Sequence, residues 1–568
     1  MAASPISLSG AEMLATCMER AGVQRIYGIV GTSNIAFVNA LYDKRDTIRY
    51  VSARHEQVAA SMADAEGRLT GRPGVCLTHS GPGTLNAVMS VANAYKDCSP
   101  LILVSGTVRP ALKGSDGLIE ADHGKVIEPV CKGAFQVMDL AEMPAVFSAA
   151  YRLAMTPAKG PVLIEVPENL WMAEGKAGLD ALDLTLPAAP TVDRATLESV
   201  FQAFRNADRP VLLAGAGVFE ADAAPHVLRL AEEANVRVVT TGNGRGVIPE
   251  SHDLCLGRVG FFGNPVADKA IEQADLILGL GCCLSDLITW EYTAELSGKV
   301  VIVNADPEAA LIQPESYLVD LQFVDGDVGQ FLAEFVRRFA EEPARKSDDC
   351  MDSILPVKEQ WEAQLGAAIS SDKTPLSVGR VVRALSDLAP ENAVFTGGAG
   401  LSTLYVNCFA RIEAPRSFFA PNNFGAMGFG FPALLASGII TPDRPCLCIL
   451  GDGDFMMTLQ DIETGVREGV TGVVLVLNDN SYRALRYSQQ VMFQGRIYGT
   501  EHSNPDFVKL ADAFGAAGYV IETPDRIVPV LTEALGCGKL AIVDARIDPE
   551  DPAPTNIEAI LKMRGMAG

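Results

Sequence analysis

Asp452 and Asp479 stand at the ends of two apolar runs about one helix apart, an arrangement suited to holding a hard divalent cation. The chain reads Gly451-Asp452-Gly453-Asp454-Phe455, continues through residues 458–468 (TLQDIETGVRE), and reaches Asn478-Asp479-Asn480-Ser481. Residues 446–450 (CLCIL) and 472–477 (GVVLVL) have strand composition, and 458–468 has helix composition, so the pattern predicts a βαβ unit. A right-handed crossover makes the strands parallel and brings both carboxylates out at strand carboxyl ends. Open α/β sheets bind ligands at that edge. The small residues around Asp452 let backbone N–H groups approach an anion. Two carboxylates beside such a cradle suit an octahedral Mg2+ that also takes oxygens from a diphosphate.

Other segments carry residues of the same kind. Ala53-Arg54-His55-Glu56-Gln57 precedes a helical stretch rich in small residues, which places Glu56 at a helix N-terminus, where the macrodipole favours a carboxylate. Residues 76–83 (CLTHSGPG) form a strand and turn leading into a helix, with His79 immediately before Ser80. Residues 28–34 (GIVGTSN) read as a turn that presents Ser33, and residues 396–402 (TGGAGLS) and 424–432 (FGAMGFGFP) are glycine-rich.

GDG followed at this spacing by N-[DN]-N resembles the diphosphate and metal motif of thiamin-diphosphate-dependent enzymes, and the remaining segments occur in that family's order. The resemblance implies that Glu56 hydrogen-bonds the pyrimidine N1′ and promotes ionisation of the thiazolium C2. It implies that Gly425 and Met427 hold the aminopyrimidine, Met427 acting as a wedge between the two rings. Gly400 and Leu401 present backbone N–H groups to the diphosphate, together with Gly451, Asp452, Gly453, Asp454, Asp479, Ser481 and Tyr482. The metal ligands implied are Asp452, Asp479 and the carbonyl of Ser481. Many relatives have Asn where this chain has Asp479, which makes the metal site more negative. A histidine before this serine resembles benzoylformate decarboxylase and implies proton transfer by His79, a role suited to an unperturbed imidazole pKa of about 6.5. Ser33 stands where some decarboxylases bring a hydroxyl to the substrate carboxylate.

These motifs need parallel sheets to position them. Strand-like runs at 74–77, 101–104, 162–164, 211–213, 276–278 and 300–303 alternate with helical segments, which predicts an α/β protein with mostly parallel sheets covered by helices. Linker-like stretches near 186–191 and 341–352 divide 568 residues into three consecutive α/β domains with no sequence-level repeat: 1–186 (pyrimidine-binding, with the catalytic Glu), 187–345 (Rossmann-like) and 355–568 (diphosphate- and Mg-binding). The glycines at 215, 217, 279 and 281 suit a Rossmann-like middle domain, which in relatives binds FAD, another nucleotide or nothing; the vacant reading is adopted. Residues 548–568 read as a Pro-rich stretch and a short helix.

A net charge of −24 argues against nucleic-acid and anionic-membrane partners. No apolar run reaches membrane-spanning length, and the first residues lack a basic region followed by an apolar core, so a cytoplasmic protein is expected. The twelve cysteines have no zinc spacing and read as reduced core thiols.

The resemblance implies a 2-oxo acid decarboxylase or carboligase. It would use thiamin diphosphate and Mg2+ and act through a C2 carbanion and an enamine, with a 2-oxo acid as donor and an aldehyde or second 2-oxo acid as acceptor. Two alternatives are an FAD-linked 2-oxo acid oxidase and a noncatalytic cofactor-binding homologue. Family architecture implies a homodimer or homotetramer in which Glu56 of one subunit meets Asp452 and Asp479 of another. Residues 482–499 and 503–511 resemble acetolactate synthases. However, Ser488 stands where those enzymes carry the Trp that selects the second 2-oxo acid, and residues 118–123 (LIEADH) lack their FQE-type segment.

Overall fold

The computed structural model describes residues 7–176, 178–306, 317, 319–344, 346 and 352–552. The chain forms two compact units: Met1–Ala188 with Asn423–Pro442 and Met457–Val470, and Ala189–Asn422 with Asp443–Met456 and Thr471–Gly568. Three six-stranded sheets, all parallel, carry the fold, and each alternates with helices as the apolar runs predict. Parallel strands buried on both faces read as continuous apolar runs, which is why each one is visible in the sequence.

The sheet of the first unit has the spatial order Arg49–Ser52, Arg25–Gly28, Gly74–Thr78, Leu101–Thr107, Pro161–Pro167, Gly133–Gln136. A short antiparallel pair, Ser7–Ser9 with Glu174–Lys176, lies apart from it. One face is covered by a core that includes Met13, Leu14, Phe37, Phe147 and Trp171, with Phe37 and Trp171 ring centroids 5.2 Å apart. Helix Glu56–Thr70 is buried along most of its length and packs against Pro82–Lys96 and Gly430–Ile440. It carries charge inward: Arg68 bonds Asp64 at 2.7 Å and Asp97 at 3.0 Å and lies 4.7 Å over the Phe429 ring. The paired, hydrogen-bonded state is what makes such burial tolerable.

The second unit holds two sheets. One runs Cys255–Arg258, Arg237–Thr240, Pro210–Ala214, Leu276–Leu280, Lys299–Asn304, Leu321–Asp325. This is the doubly wound order of dinucleotide-binding folds. The other runs Phe418–Phe419, Val394–Gly397, Cys446–Gly451, Gly472–Asn478, Leu540–Arg546, Ala517–Ile521. Numbering strands within each sheet, this order matches that of the first unit's sheet, 2-1-3-4-6-5. The repeat is one of topology, which sequence comparison within the chain does not reveal.

The predicted helix at 458–468 is shorter than expected: a 3-10 turn at Leu459–Asp461 leads into Ile462–Arg467. The predicted helix near the C-terminus lies outside the described residues, as does Cys350. The cysteines among the described residues are all free. No helix among those residues is long and apolar enough to cross a membrane.

Candidate functional site

In the first unit, Glu56 opens helix Glu56–Thr70 behind His55, an extended N-cap whose ring Nδ1 accepts the Gln57 N–H at 3.1 Å. Glu56 is 8% exposed, and its Oε2 accepts from Asn86 Nδ2 at 3.0 Å. A Cβ on Gly83 would lie 3.0 Å from Glu56 Oε1 and 3.1 Å from His79 Cβ. The Glu56 carboxylate and His79 therefore face the same glycine, at the start of helix Pro82–Lys96.

His79 follows strand Gly74–Thr78 and is half-buried. Its Nδ1 lies 2.8 Å from Ser33 Oγ and accepts the Ser33 N–H at 3.3 Å. An Nδ1 that accepts an amide proton is unprotonated, so the neutral ring carries its proton on Nε2. Burial holds the imidazole below its usual range, and the negative charge of Glu56 opposes that shift. Ser33 is held in turn: its Oγ accepts the Ser80 N–H at 2.9 Å and its carbonyl accepts Trp171 Nε1–H at 2.7 Å. The 28–34 turn is closed by Asn34, whose Oδ1 accepts the Gly31 N–H at 2.8 Å and whose Nδ2 donates to Ile29 O at 3.1 Å. Met427 also belongs to this unit, and its carbonyl accepts from Gln57 Nε2 at 3.2 Å. Gly425 is exposed, with φ +72°.

In the second unit, Cys446–Gly451 and Gly472–Asn478 pair in parallel with Gly451 opposite Leu477, so Asp452 and Asp479 leave adjacent strands at neighbouring levels. Asp452 is 1% exposed; its Oδ1 accepts the Gly453 N–H at 3.0 Å. Its Oδ2 accepts from Asn504 Nδ2 at 2.5 Å and lies 3.3 Å from His502 Nε2. Burial raises the Asp452 carboxyl above the usual carboxylate range and the charge of Asp479 adds to this, while Asn504 and His502 oppose it. Asp479 Oδ1 accepts from Ser481 N–H at 3.1 Å and Ser481 Oγ–H at 2.9 Å, and Oδ2 pairs with Arg483 at 2.9 Å. The Tyr482 ring, 4.9 Å from the His502 ring, lies where a Cβ on Gly453 would meet it at 2.7 Å, so only glycine fits there.

The 396–402 loop is less open than its glycines imply. The Gly398 N–H bonds Ile449 O at 3.1 Å, and the Ala399 N–H bonds Asp454 Oδ2 at 2.6 Å. Asp454 thus braces the loop. Gly400, at φ +76°, starts helix Leu401–Phe409, whose first N–H groups have no carbonyl partner within the helix.

This donor set fits a diphosphate-bound Mg2+. The charge of Asp479 adds to the cost of ionising Asp452, which a divalent cation relieves. Among the described residues no group of three or more His, Cys, Asp or Glu side chains gathers as a metal site. A cation at Asp452 and Asp479 would therefore complete its shell with a carbonyl, such as that of Ser481, and with oxygens of the bound group.

In the middle sheet the glycines serve packing. A Cβ on Gly215 would lie 2.4 Å from Gly281 O, and one on Gly217 would lie 2.6 Å from Gly281 Cα. The loops after Pro210–Ala214 and Leu276–Leu280 close on each other, so their smallness is accounted for without a nucleotide.

Sequence reasoning missed Asn86, Arg483, His502 and Asn504. Arg483 was within reach, since an Arg four residues after an Asp at a helix start is a recognised pairing. Asn86, His502 and Asn504 meet their partners only through the fold.

Three family models match: the N-terminal TPP binding domain of thiamine pyrophosphate enzymes over residues 8–143, the central domain over 197–335, and the C-terminal TPP binding domain over 398–545. A probable acetolactate synthase large subunit of Methanocaldococcus jannaschii is 31% identical, covering 96% of this chain and 93% of that protein. The acetolactate synthase large subunit of Haemophilus influenzae is 29% identical (96% and 95% covered), and the acetolactate synthase of Mycobacterium bovis 30% (98% and 92%). With the three domain models in order and a relative of this identity along nearly the whole length, the chain belongs to the thiamine pyrophosphate enzyme family.

Proposed function

We propose that this protein is a thiamin-diphosphate- and Mg2+-dependent decarboxylase or carboligase that acts on a 2-oxo acid and passes the remaining acyl group to a proton, an aldehyde or a second 2-oxo acid. The observation that carries this reading is the buried Glu56 carboxylate and the Ser33-bound His79 facing one glycine. When bound, thiamin diphosphate supplies the electron sink for breaking the bond next to the carbonyl.

The residues of this chain do the rest. Glu56, held through Oε2 by Asn86, keeps Oε1 for the pyrimidine. Gly425 and the Met427 segment hold that ring. Asp452, Asp479 and the Ser481 carbonyl hold the cation. The diphosphate is met by the N–H groups of Gly400 and Leu401, with Gly451, Gly453 and Tyr482 shaping the floor and Asp454 bracing it. His79 carries a transferable proton on Nε2, and Ser33 holds its Nδ1. Ser488, at the position of the acceptor-selecting Trp, bonds back to Ala484 O at 2.9 Å, so its hydroxyl is engaged within its own helix. This supports acceptor selection different from that of the acetolactate synthases.

We assign the domains as 1–186, 187–345 and 355–568, each built on one of the three sheets, and the active unit as a cytoplasmic homodimer or a tetramer of two such dimers. The direct test is a panel of 2-oxo acids supplied to the purified protein with thiamin diphosphate and Mg2+, with and without aldehydes, reading CO2 release and analysing products by mass spectrometry. CO2 release from at least one member is expected. A protein that binds the cofactor and releases CO2 from none overturns the reading, and a bound flavin that is reduced by the 2-oxo acid would favour the oxidase alternative.

A further inference from the structure

His123 and Glu165 form a buried pair beside the turn that carries His79. His123 is 0% exposed and Glu165 8%. His123 Nε2 accepts the Gly81 N–H at 2.8 Å, and Nδ1 lies 3.1 Å from Glu165 Oε1. A ring nitrogen that accepts an amide proton carries none itself, so the neutral His123 has its proton on Nδ1 and donates it to Glu165. His79 has the opposite tautomer.

The amide held this way belongs to the turn that carries His79. Gly81 has φ +67°, and a Cβ there would lie 2.6 Å from Ile119 O, so the turn is both left-handed and pressed against its neighbour. Ser80 Oγ donates to that same Ile119 carbonyl at 3.1 Å. Successive amides of the turn are thus gripped from two sides, Ser80 N–H by Ser33 Oγ and Gly81 N–H by His123 Nε2. Helix Pro82–Lys96 has no side-chain cap at Gly81, so the imidazole supplies an acceptor where a helix start needs its neighbouring donors satisfied.

We propose that His123 and Glu165 are positioning residues for His79: Glu165 fixes the His123 proton on Nδ1, the bare Nε2 holds the Gly81 amide, and this sets the turn from which His79 reaches its Ser33 partner and the face it shares with Glu56. The inference rests on the reading that His79 moves a proton, and the experiment separates the two. In the holoenzyme loaded with thiamin diphosphate and Mg2+, 15N-histidine NMR is expected to show His123 protonated at Nδ1 and His79 at Nε2. His123→Leu is expected to lower turnover of the best 2-oxo acid about 10²-fold, the size of effect that small misplacements of a reacting group produce, while cofactor affinity stays within a few-fold. His123→Gln, whose amide can accept from Gly81 and donate to Glu165, should recover most of that loss. Glu165→Leu, which removes the acceptor for Nδ1–H, should lower turnover in the same direction as His123→Leu, and a Glu165→Leu enzyme with normal turnover would remove Glu165 from the role. A His123 protonated at Nε2 overturns the proposal even if no variant folds. So does a His123→Leu enzyme with normal turnover, or a His123→Gln variant no better than His123→Leu. Normal turnover in His79→Ala with the expected His123 tautomer would instead remove the role of His79.

Discussion

Arg483 Nη1 lies 2.9 Å from Asp479 Oδ2, and the same guanidinium donates to Asp548 O at 2.9 Å and Asp551 O at 2.7 Å. The side chains are 13% and 2% exposed. The Asp479 carboxylate is thus neutralised locally by an Arg on the next helix. A carboxylate offers about four lone-pair sites. Ser481 takes both on Oδ1 and Arg483 takes one on Oδ2, which leaves one for a metal ion.

Asp479→Asn should therefore harm the protein, because it takes from the buried Arg483 the carboxylate it pairs with. A loss on the order of 2 kcal/mol is expected, below the cost of fully breaking a buried pair since the amide oxygen still accepts a bond. Mg2+-dependent binding of thiamin diphosphate should weaken at least tenfold, and Asp479→Asn combined with Arg483→Met should recover part of both losses. Thermal unfolding without metal and calorimetric Mg2+ titration check this. Equal behaviour of the single and double variants would show that the two side chains are not coupled.

Glu56→Gln keeps an acceptor for Asn86 and the shape of the helix start, so cofactor binding should persist. The amide cannot share a proton with the pyrimidine, and exchange of the C2 proton of bound thiamin diphosphate should slow by 10² or more, roughly the size of a general acid–base contribution. NMR-detected hydrogen–deuterium exchange measures it, and an unchanged rate would remove Glu56 from the role.

His79→Ala should lose about 10²–10⁴-fold in single-turnover decarboxylation with cofactor affinity little altered. A variant that is less stable yet decarboxylates normally per folded molecule would make His79 a packing residue.

Asp461 gives a test by pH. Its Oδ1 accepts the Arg54 N–H at 2.8 Å and Thr464 Oγ1–H at 2.7 Å, bracing the turn that leads to Glu56, and burial pushes its carboxyl up to about 6. An unfolded Asp titrates at about 3.9. A raised folded value means that the stability contributed by the bound proton is complete below pH about 4 and is lost as pH rises through about 6. Asp461→Asn keeps the Oδ1 acceptor and removes the titration. Relative to wild type, its thermal midpoint should rise between pH 4 and pH 7, and parallel curves over that range would contradict the shift.

The sequence by itself determined the three parallel sheets, the family, and the residues that stand at strand and helix ends: Glu56, His79, Asp452 and Asp479. These are local signals, because a buried parallel strand must be apolar on both faces and a ligand-binding turn needs small residues at fixed spacing. The tertiary structure decided the rest. It joined Ser33 to His79, Asn86 to Glu56, Asn504 to Asp452 and Glu165 through His123 to Gly81, pairings between residues tens of positions apart that carry no spacing signal. It also showed that the amides of Gly398 and Ala399, which the loop's glycines made look free, are already engaged. Sequence periodicity reports which face of an element is buried; which donor meets which acceptor depends on how the elements are brought together, and only the fold sets that.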